Sequence, residues 1–399
     1  MGQTIFLLAL LPLAAFAQDW VDRPEYDLAL EVRAQSSAAA RLPLLEQWKQ
    51  KYPNSPMKQM RTELLLSAAQ SLGDKTKLIE AAREIASTNE NHFSALYWLT
   101  LLGPSVAENT PVSLLFVEKS AKGLLRNTDG YFAADKTADP KQKAEVMALA
   151  HRALGWVEWK RGKVDGAEQE LKASLQAGPR NAEVSAWLGS VLATQKEPSK
   201  QVPGIWYLAR ASFLEGTGAL GASQRRATRS LLEAAYTGFH GGLDGLDGIG
   251  AQASGSDIAQ APAAFKIETA TEAAQRRADE EMAATNPQLL TWVRIKRRLT
   301  GPDAQVEYGK MTSATLPRLK GYVVGCDQTK KPTEAILGLL DSSIGEIALK
   351  FDAPLEQCAE PGMALEFEGM PISFVVDPFR LTVSVIGGSV EGWPAATKK

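Results

Sequence analysis

The chain has 399 residues, 44 of them basic and 46 acidic, for a formal net charge of −2. That balance excludes the positive footprint of a nucleic-acid-binding domain. The length is too great for one hydrophobic core and implies two domains or a repeat array.

Residues 5–17 (IFLLALLPLAAFA) form an apolar run too short to span a bilayer as a stop-transfer helix. The run closes on Ala15-Phe16-Ala17, small residues at the positions a signal peptidase reads. Residues 1–17 therefore read as a signal peptide, with Gln18 starting a mature chain of periplasmic or extracellular address. A buried N-terminal helix is the alternative. No Cys follows the run, so no lipid anchor is expected. No later segment is apolar enough to span a membrane.

Residues 18–300 are rich in Ala, Leu, Glu, Gln, Lys and Arg, in helix-length blocks of 3.6 period. Predicted helices, in order, cover 38–52, 57–72, 75–87, 92–102, 111–125, 141–160, 164–177, 182–195, 205–214 and 224–236, with a short one over 243–253. Gly103-Pro104 is expected to stop the fourth, and 129–140 to form a long connection. Thr300-Gly301-Pro302-Asp303 punctuates the end of the helical part, and 301–317 reads as a linker.

Within this stretch Leu154-Gly155 recurs as Leu188-Gly189, 34 residues later. Ala167, Leu171, Ser174 and Pro179 lie between the pairs, which is the spacing of a helix-hairpin repeat. Crossing helices approach closely only where contact residues lack bulk, and Pro cannot continue a helix. After Leu188-Gly189, the residues Gly204, Leu208 and Ala211 repeat the pattern with about three extra residues inserted, as loops allow.

This segment resembles the tetratricopeptide repeat (TPR) family, well over 144–214 and more weakly over 20–125. It departs from the family at His151 and Glu158, where large aromatics are usual. The resemblance implies a solenoid whose first helices line a groove for an extended peptide. Carried over by position, the groove residues are Arg152, Trp156 and Trp159 in one unit and Glu183 and Ser190 in the next. Arg152, Trp156 and Trp159 stand at i, i+4 and i+7, on one helix face. An irregular bundle is the alternative to a solenoid, and core packing is the alternative for both Trp.

Two motifs invite chemistry and do not support it. Residues 216–221 match G-x-G-x-x-G, but the preceding element reads as a helix, and the dinucleotide fingerprint needs a strand there. Asp244 and Asp247, in the glycine-rich run 240–248, are too few to make a calcium loop. The three histidines, His92, His151 and His240, show no metal-ligand spacing. No catalytic residue, metal site or cofactor is expected.

Residues 318–388 change character, with short Val-, Ile-, Leu- and Phe-rich blocks between turn residues. Strands are predicted over 319–326, 334–340, 346–351, 363–367, 372–375 and 380–386, and 389–399 reads as a tail. The pattern suggests a small antiparallel barrel or sandwich and loosely resembles the OB-fold barrels, which often bind oligonucleotides or sugars. The only Tyr of this stretch is Tyr322, and no basic groove accompanies it, so nucleic acid is not expected. Cys326 and Cys358 are the only cysteines, and an oxidising compartment would pair them, the alternative being two buried thiols.

The expected protein is multi-domain: an all-α TPR-like solenoid followed by a small β-barrel or sandwich. Its expected role is that of a non-catalytic exported scaffold binding partner proteins through the groove. The alternative is an accessory binder whose barrel holds a glycan or other ligand.

Overall fold

A computed structural model describes residues 20–134, 139–195, 197–256, 258, 265–386 and 389–394. The signal-peptide reading of 1–17 and the start at Gln18 lie outside the described residues. The chain divides into two compact units, 1–270 and 271–399.

The first unit holds α1 (Arg23–Ala34), α2 (Ala38–Lys51), α3 (Lys58–Leu72), α4 (Lys75–Thr88), α5 (Phe93–Val106), α6 (Pro111–Ala134), α7 (Pro140–Lys160), α8 (Val164–Ala177), α9 (Ala182–Thr194), α10 (Pro198–Phe213), α11 (Ala222–His240) and α12 (Leu246–Gly255). Short polar side chains start many of them. Ser37 caps α2, Asp74 caps α4 and Asn181 caps α9, each accepting a bond from the backbone N–H three residues on. Gly73 ends α3 in the left-handed conformation, at φ 68°.

From α1 to α11 each helix packs on the next, α12 packs on α10, and some alternate helices also touch, α5 on α7, α7 on α9 and α9 on α11. That double neighbourhood is the signature of a stacked helix-hairpin array. The Leu-Gly pairs explain the spacing. A Cβ on Gly155 would lie 2.7 Å from the Leu171 side chain and 3.2 Å from its backbone N. A Cβ on Gly189 would lie 2.9 Å from both Gly204 O and Leu208 N. So α7 meets α8, and α9 meets α10, backbone against side-chain root, at equivalent residues of the two repeats. Ser174 adds a bond across the first hairpin, its Oγ donating to Ala148 O at 2.7 Å.

Some boundaries move, for identifiable reasons. The Gly103-Pro104 pair does not stop α5, which continues to Val106. Pro104 falls in the last turn, where its missing N–H costs one intrahelical bond and the helix runs only two residues beyond it. Helix α6 runs on to Ala134 rather than ending at 125. Its extension is held by Tyr131 stacked on Phe93 at 3.7 Å and by Phe132 against the same ring. Helix α10 starts at Pro198, ahead of the expected 205. Helix α1 was not among the predicted elements. It is fixed by buried Glu25, which accepts from Trp48 Nε1 at 2.7 Å and from the backbone N–H of Val21 at 2.9 Å.

The second unit contains α13 (Ala270–Thr285), α14 (Pro287–Thr300) and α15 (Ala304–Met311), then β1 (Leu316–Cys326), β2 (Glu334–Gly338), β3 (Ile347–Phe351), β4 (Ala364–Val376) and β5 (Phe379–Val385). The strands close into a barrel in the order β1-β2-β3-β5-β4, antiparallel except for the β3–β5 pair. Five strands replace the six expected because residues 368–371, left between the predicted strands 363–367 and 372–375, do not turn the chain. Strand β4 runs through it, pairing first with β1 and then, from Met370 onward, with β5. Gly369 makes that exchange of partners possible, since a Cβ there would lie 2.3 Å from Ser384 O.

The units divide near Ala270 and not at the 300–303 punctuation. Trp292, Ile295 and Leu299, on one face of α14, are buried in the barrel's own core with Leu319, Phe367 and Val383. The expected linker 301–317 is partly helical, as α15. The polar centre of this packing is buried Glu346, which accepts from Trp292 Nε1 at 2.9 Å and pairs with Lys296. Helix α13 is stapled to α14 at Asp279. Bonds from Arg297, then from Gln275 and Arg294, lower the Asp279 carboxyl to about 2.

Cys326 and Cys358 form a disulfide across 32 positions of sequence. Closing a loop of that size is worth roughly 3–4 kcal/mol in the chain-entropy model. The paired substitution Cys326→Ala/Cys358→Ala should lower unfolding stability by about that amount, and urea melts of oxidised and doubly substituted protein check it. The crowded glycine should also be distinguishable from an open one. Gly189→Ala is expected to destabilise by about 1–3 kcal/mol through backbone overlap. Gly130→Ala in α6, where a Cβ meets nothing within 4 Å, should stabilise by about 0.5–1 kcal/mol. The same melts read both.

Candidate functional site

The site is the seam where α7 lies against α9. Arg152 of α7 reaches Glu183 of α9, with Nε at 2.9 Å and Nη2 at 2.7 Å from one carboxylate oxygen. The same guanidinium sits 5.1 Å from the ring centre of Trp187. Trp187 in turn lies 6.5 Å from Trp159 of α7, the two rings tilted by 47°. Lys160 covers Trp159, its Nζ 5.2 Å from the ring centre. Trp159 and Trp187 are both half-buried.

Three of the five groove residues expected from sequence therefore meet: Arg152, Trp159 and Glu183. Trp156 is turned into the core. It is only 6% exposed and shares a buried cluster with Leu114, Val117 and Ala121 of α6. Ser190 lies on the correct stretch of α9, but its hydroxyl is turned back on its own helix, donating to Ala186 O at 2.9 Å. Trp187 was missed, although its signal was present. Glu183, Trp187 and Ser190 repeat the i, i+4, i+7 spacing of Arg152, Trp156 and Trp159. Counting from the Leu-Gly pair, which fixes a 34-residue offset, sets Trp187 opposite Ala153 and so passes over it.

Ionised groups brace the seam from outside. Glu118 of α6 accepts from Lys122 and from Arg161 at the end of α7, and these bonds hold its carboxyl below the usual range. At the junction of α8, α9 and α10, burial works to raise the Glu168 carboxyl. Bonds from Lys172, Lys200 and Gln195 outweigh that and hold it low. Beside it, burial and then the Glu168 charge push the Tyr207 hydroxyl up to about 12. One group stays ionised and the other stays protonated near neutral pH, so this pair has a bracing role and no proton to exchange there.

The remaining sequence motifs resolve as structure. Residues 216–221 link α10 to α11. Gly218 is required there because a Cβ would fall 1.7 Å from Arg180 O, and its own carbonyl accepts from Ala182 N. In the 240–248 run, Asp247 pairs with Arg229 at 3.0 Å, and Tyr236 donates to Asp244 O at 2.8 Å. Each histidine faces a separate carboxylate: His92 Glu63, His151 Glu170, and His240 Asp244. Among the described residues no three His, Cys, Asp or Glu side chains gather as metal ligands. No helix among them is long and apolar enough to cross a membrane.

No protein-family model matches the chain, and no curated protein matches it. It is similar to the crystal structure of a thermophilic TPR protein from Thermus thermophilus, at 15% identity and a TM-score of 0.29, over 53% of this chain and 97% of that one. The helix contacts of the first unit define its repeat array independently of that likeness.

The burial of Trp156 makes a direct test of which tryptophans build the fold. Trp156→Ala should cost about 3–5 kcal/mol of stability, whereas Trp159→Ala and Trp187→Ala, at half-buried positions, should cost clearly less. Thermal melts of the three variants rank them.

Proposed function

We propose that this chain is a non-catalytic exported scaffold that holds a partner protein at the α7–α9 seam of a TPR-like solenoid. The observation that carries the reading is the Trp159–Trp187 pair. Two large aromatics stand partly exposed where neighbouring repeats meet, packed on the buried core beside Trp156 and the Arg152–Glu183 ion pair. Aromatic anchors on a rigid, water-excluding base are what protein interfaces use as their strongest contacts. The export half of the reading is supported by the apolar run 5–17 and by a disulfide suited to an oxidising compartment.

In this reading the second unit is an OB-like barrel that docks a second partner. A different role for it, holding a glycan, has one feature in its favour: Tyr322 of β1 is exposed on the barrel surface.

Mature protein recovered from the envelope, with an N-terminus reading Gln18, should retain a protein when immobilised. The paired substitution Trp159→Ala/Trp187→Ala should release that protein while shifting the melt far less than Trp156→Ala does. Capture that survives the paired substitution unchanged would end the reading.

A further inference from the structure

We propose that the gap between α4 and α6 is a second partner surface, and that it receives an acidic amphipathic helix of a protein partner. It shares no residue with the α7–α9 seam and does not depend on it.

Elsewhere in the array, ion pairs bridge the even-numbered helices. Lys49 of α2 pairs with Glu84 of α4 at 2.7 Å, and Lys77 of α4 pairs with Glu46 of α2. Arg161, in the turn before α8, pairs with Glu118 of α6 at 2.6 Å. Lys200 of α10 pairs with Glu168 of α8 at 2.7 Å. Between α4 and α6 the bridging group is a cation that lacks a carboxylate. Arg83 of α4 is exposed and lies 5.0 Å from the ring centre of Phe116 of α6. No ion pair reaches Arg83 among the described residues. Its own helix offers no counter-charge, because Glu84 is taken by Lys49 and Lys58, and Glu80 lies one turn before Glu84 on that same helix face. Ile79 and Arg83 instead line the α4–α6 gap. The Phe116 ring holds the guanidinium in place without neutralising it.

Apolar side chains adjoin this cation. Val112 is 79% exposed and Leu115 45%, and with Phe116 and Lys119 they share one face of α6 at i, i+3, i+4 and i+7. Val106, at the end of α5, is 45% exposed and lines the gap beside Phe116. Apolar residues exposed singly need no explanation, but a group of them around an uncommitted charge marks an interaction surface. The gap itself holds only about 10 Å³, room for a water and not for a small molecule.

The occupant follows from what these residues lack. Mid-helix backbone groups are bonded within their own helices, so no strand can be added here. A helix laid along the gap meets Val106, Val112 and Leu115 with aliphatic side chains one turn apart, the usual reading of an amphipathic partner. A carboxylate beside those anchors supplies Arg83 with the counter-ion that the other even-numbered helices already have. Lys119, exposed and without an ion pair among the described residues, extends the cationic end along the same face. Glu108, in the connection ahead of α6, stands at the opposite end of that face and sets the direction in which the acidic side chains must lie. A neutral or basic helix would cover the guanidinium without compensating it.

The test uses the full mature protein and labelled, capped helical peptides read by fluorescence anisotropy. One peptide carries leucines along one face with glutamates beside them. Three others replace its glutamates by glutamine, its glutamates by lysine, or its leucines by serine. The glutamate peptide is expected to bind saturably, about threefold or more tighter than the glutamine peptide at low salt, with the difference shrinking at high salt. The lysine peptide should bind more weakly still, and the serine peptide not measurably. Leu115→Ser and Val112→Ser, at exposed positions, should each weaken the glutamate peptide about tenfold with the melt unchanged. The paired substitution Arg83→Glu/Lys119→Glu should reverse the preference toward the lysine peptide. Trp159→Ala/Trp187→Ala should leave all of these affinities as they were. Absence of saturable binding, equal binding of the glutamate and glutamine peptides at low salt, or a preference that survives the charge reversal overturns the proposal. So does loss of peptide binding on the paired tryptophan substitution, which would place the peptide at the seam. Self-association of the protein that Leu115→Ser abolishes, or tighter binding to anionic phospholipid vesicles than to the glutamate peptide, would assign the surface to a second copy or to a membrane and equally end the proposal.

Discussion

The missing side chains of Gly155 and Gly189 set the geometry on which the rest of the first unit depends. At those two points the backbone of one helix touches the root of a leucine on the next, Leu171 in one hairpin and Leu208 in the other. Any larger residue pushes the helices apart. The two hairpins are closed by the same contact, so they present the same faces, and α7 can stack on α9. The meeting of Trp159 with Trp187, and of Arg152 with Glu183, follows from that stacking. The tryptophan pair is therefore a product of the repeat, although neither tryptophan takes part in the contact that defines it.

The second unit is organised by the opposite kind of group. Glu346 is a buried carboxylate, and such a group is tolerated only when it is bonded and paired. Trp292 and Lys296 supply both needs, and they lie on α14, ahead of the barrel in sequence. A helix that would otherwise only cover an apolar surface is thereby keyed to one position. Removing either partner leaves the carboxylate with a desolvation cost that apolar packing cannot offset, so α14 is part of this domain.

Much of this was legible in the sequence, and the failures share a cause. Helices from α2 to α11 follow from their 3.6 period and the turn residues between them, and the Leu-Gly repeat correctly located Gly204, Leu208 and Ala211 despite the insertion. The cysteine pair was readable from its isolation in one small β-rich stretch. What could not be read was ownership. Helix α14 has the composition of a repeat helix, and only the fit of Trp292, Ile295 and Leu299 into the barrel shows where it belongs. The tail of α6 looked like a connection because its reason for being helical, Phe93, lies some forty residues away. Residues 368–371, between two predicted strands, include Gly and Pro, but Gly369 is there to let two strands pass closely. Trp156 and Trp159 are three residues apart on one helix. One is floor and the other is wall, a distinction made by α6, which local spacing does not contain.

The strand order of the barrel has a consequence for how the chain acquires its shape. In the helical unit nearly every contact joins neighbours or next-neighbours in sequence, so each hairpin can form as soon as it is available and then template the next. The barrel cannot proceed that way. Its first strand finds one flank only when β4 arrives, more than forty residues later, and β3 waits for β5 to lie parallel beside it. Loop closure of that span opposes pairing until several strands are in place together. The two halves of this chain should therefore mature on different clocks, with a quick, incremental array at the N-terminal side and a slower, all-or-none closure at the other.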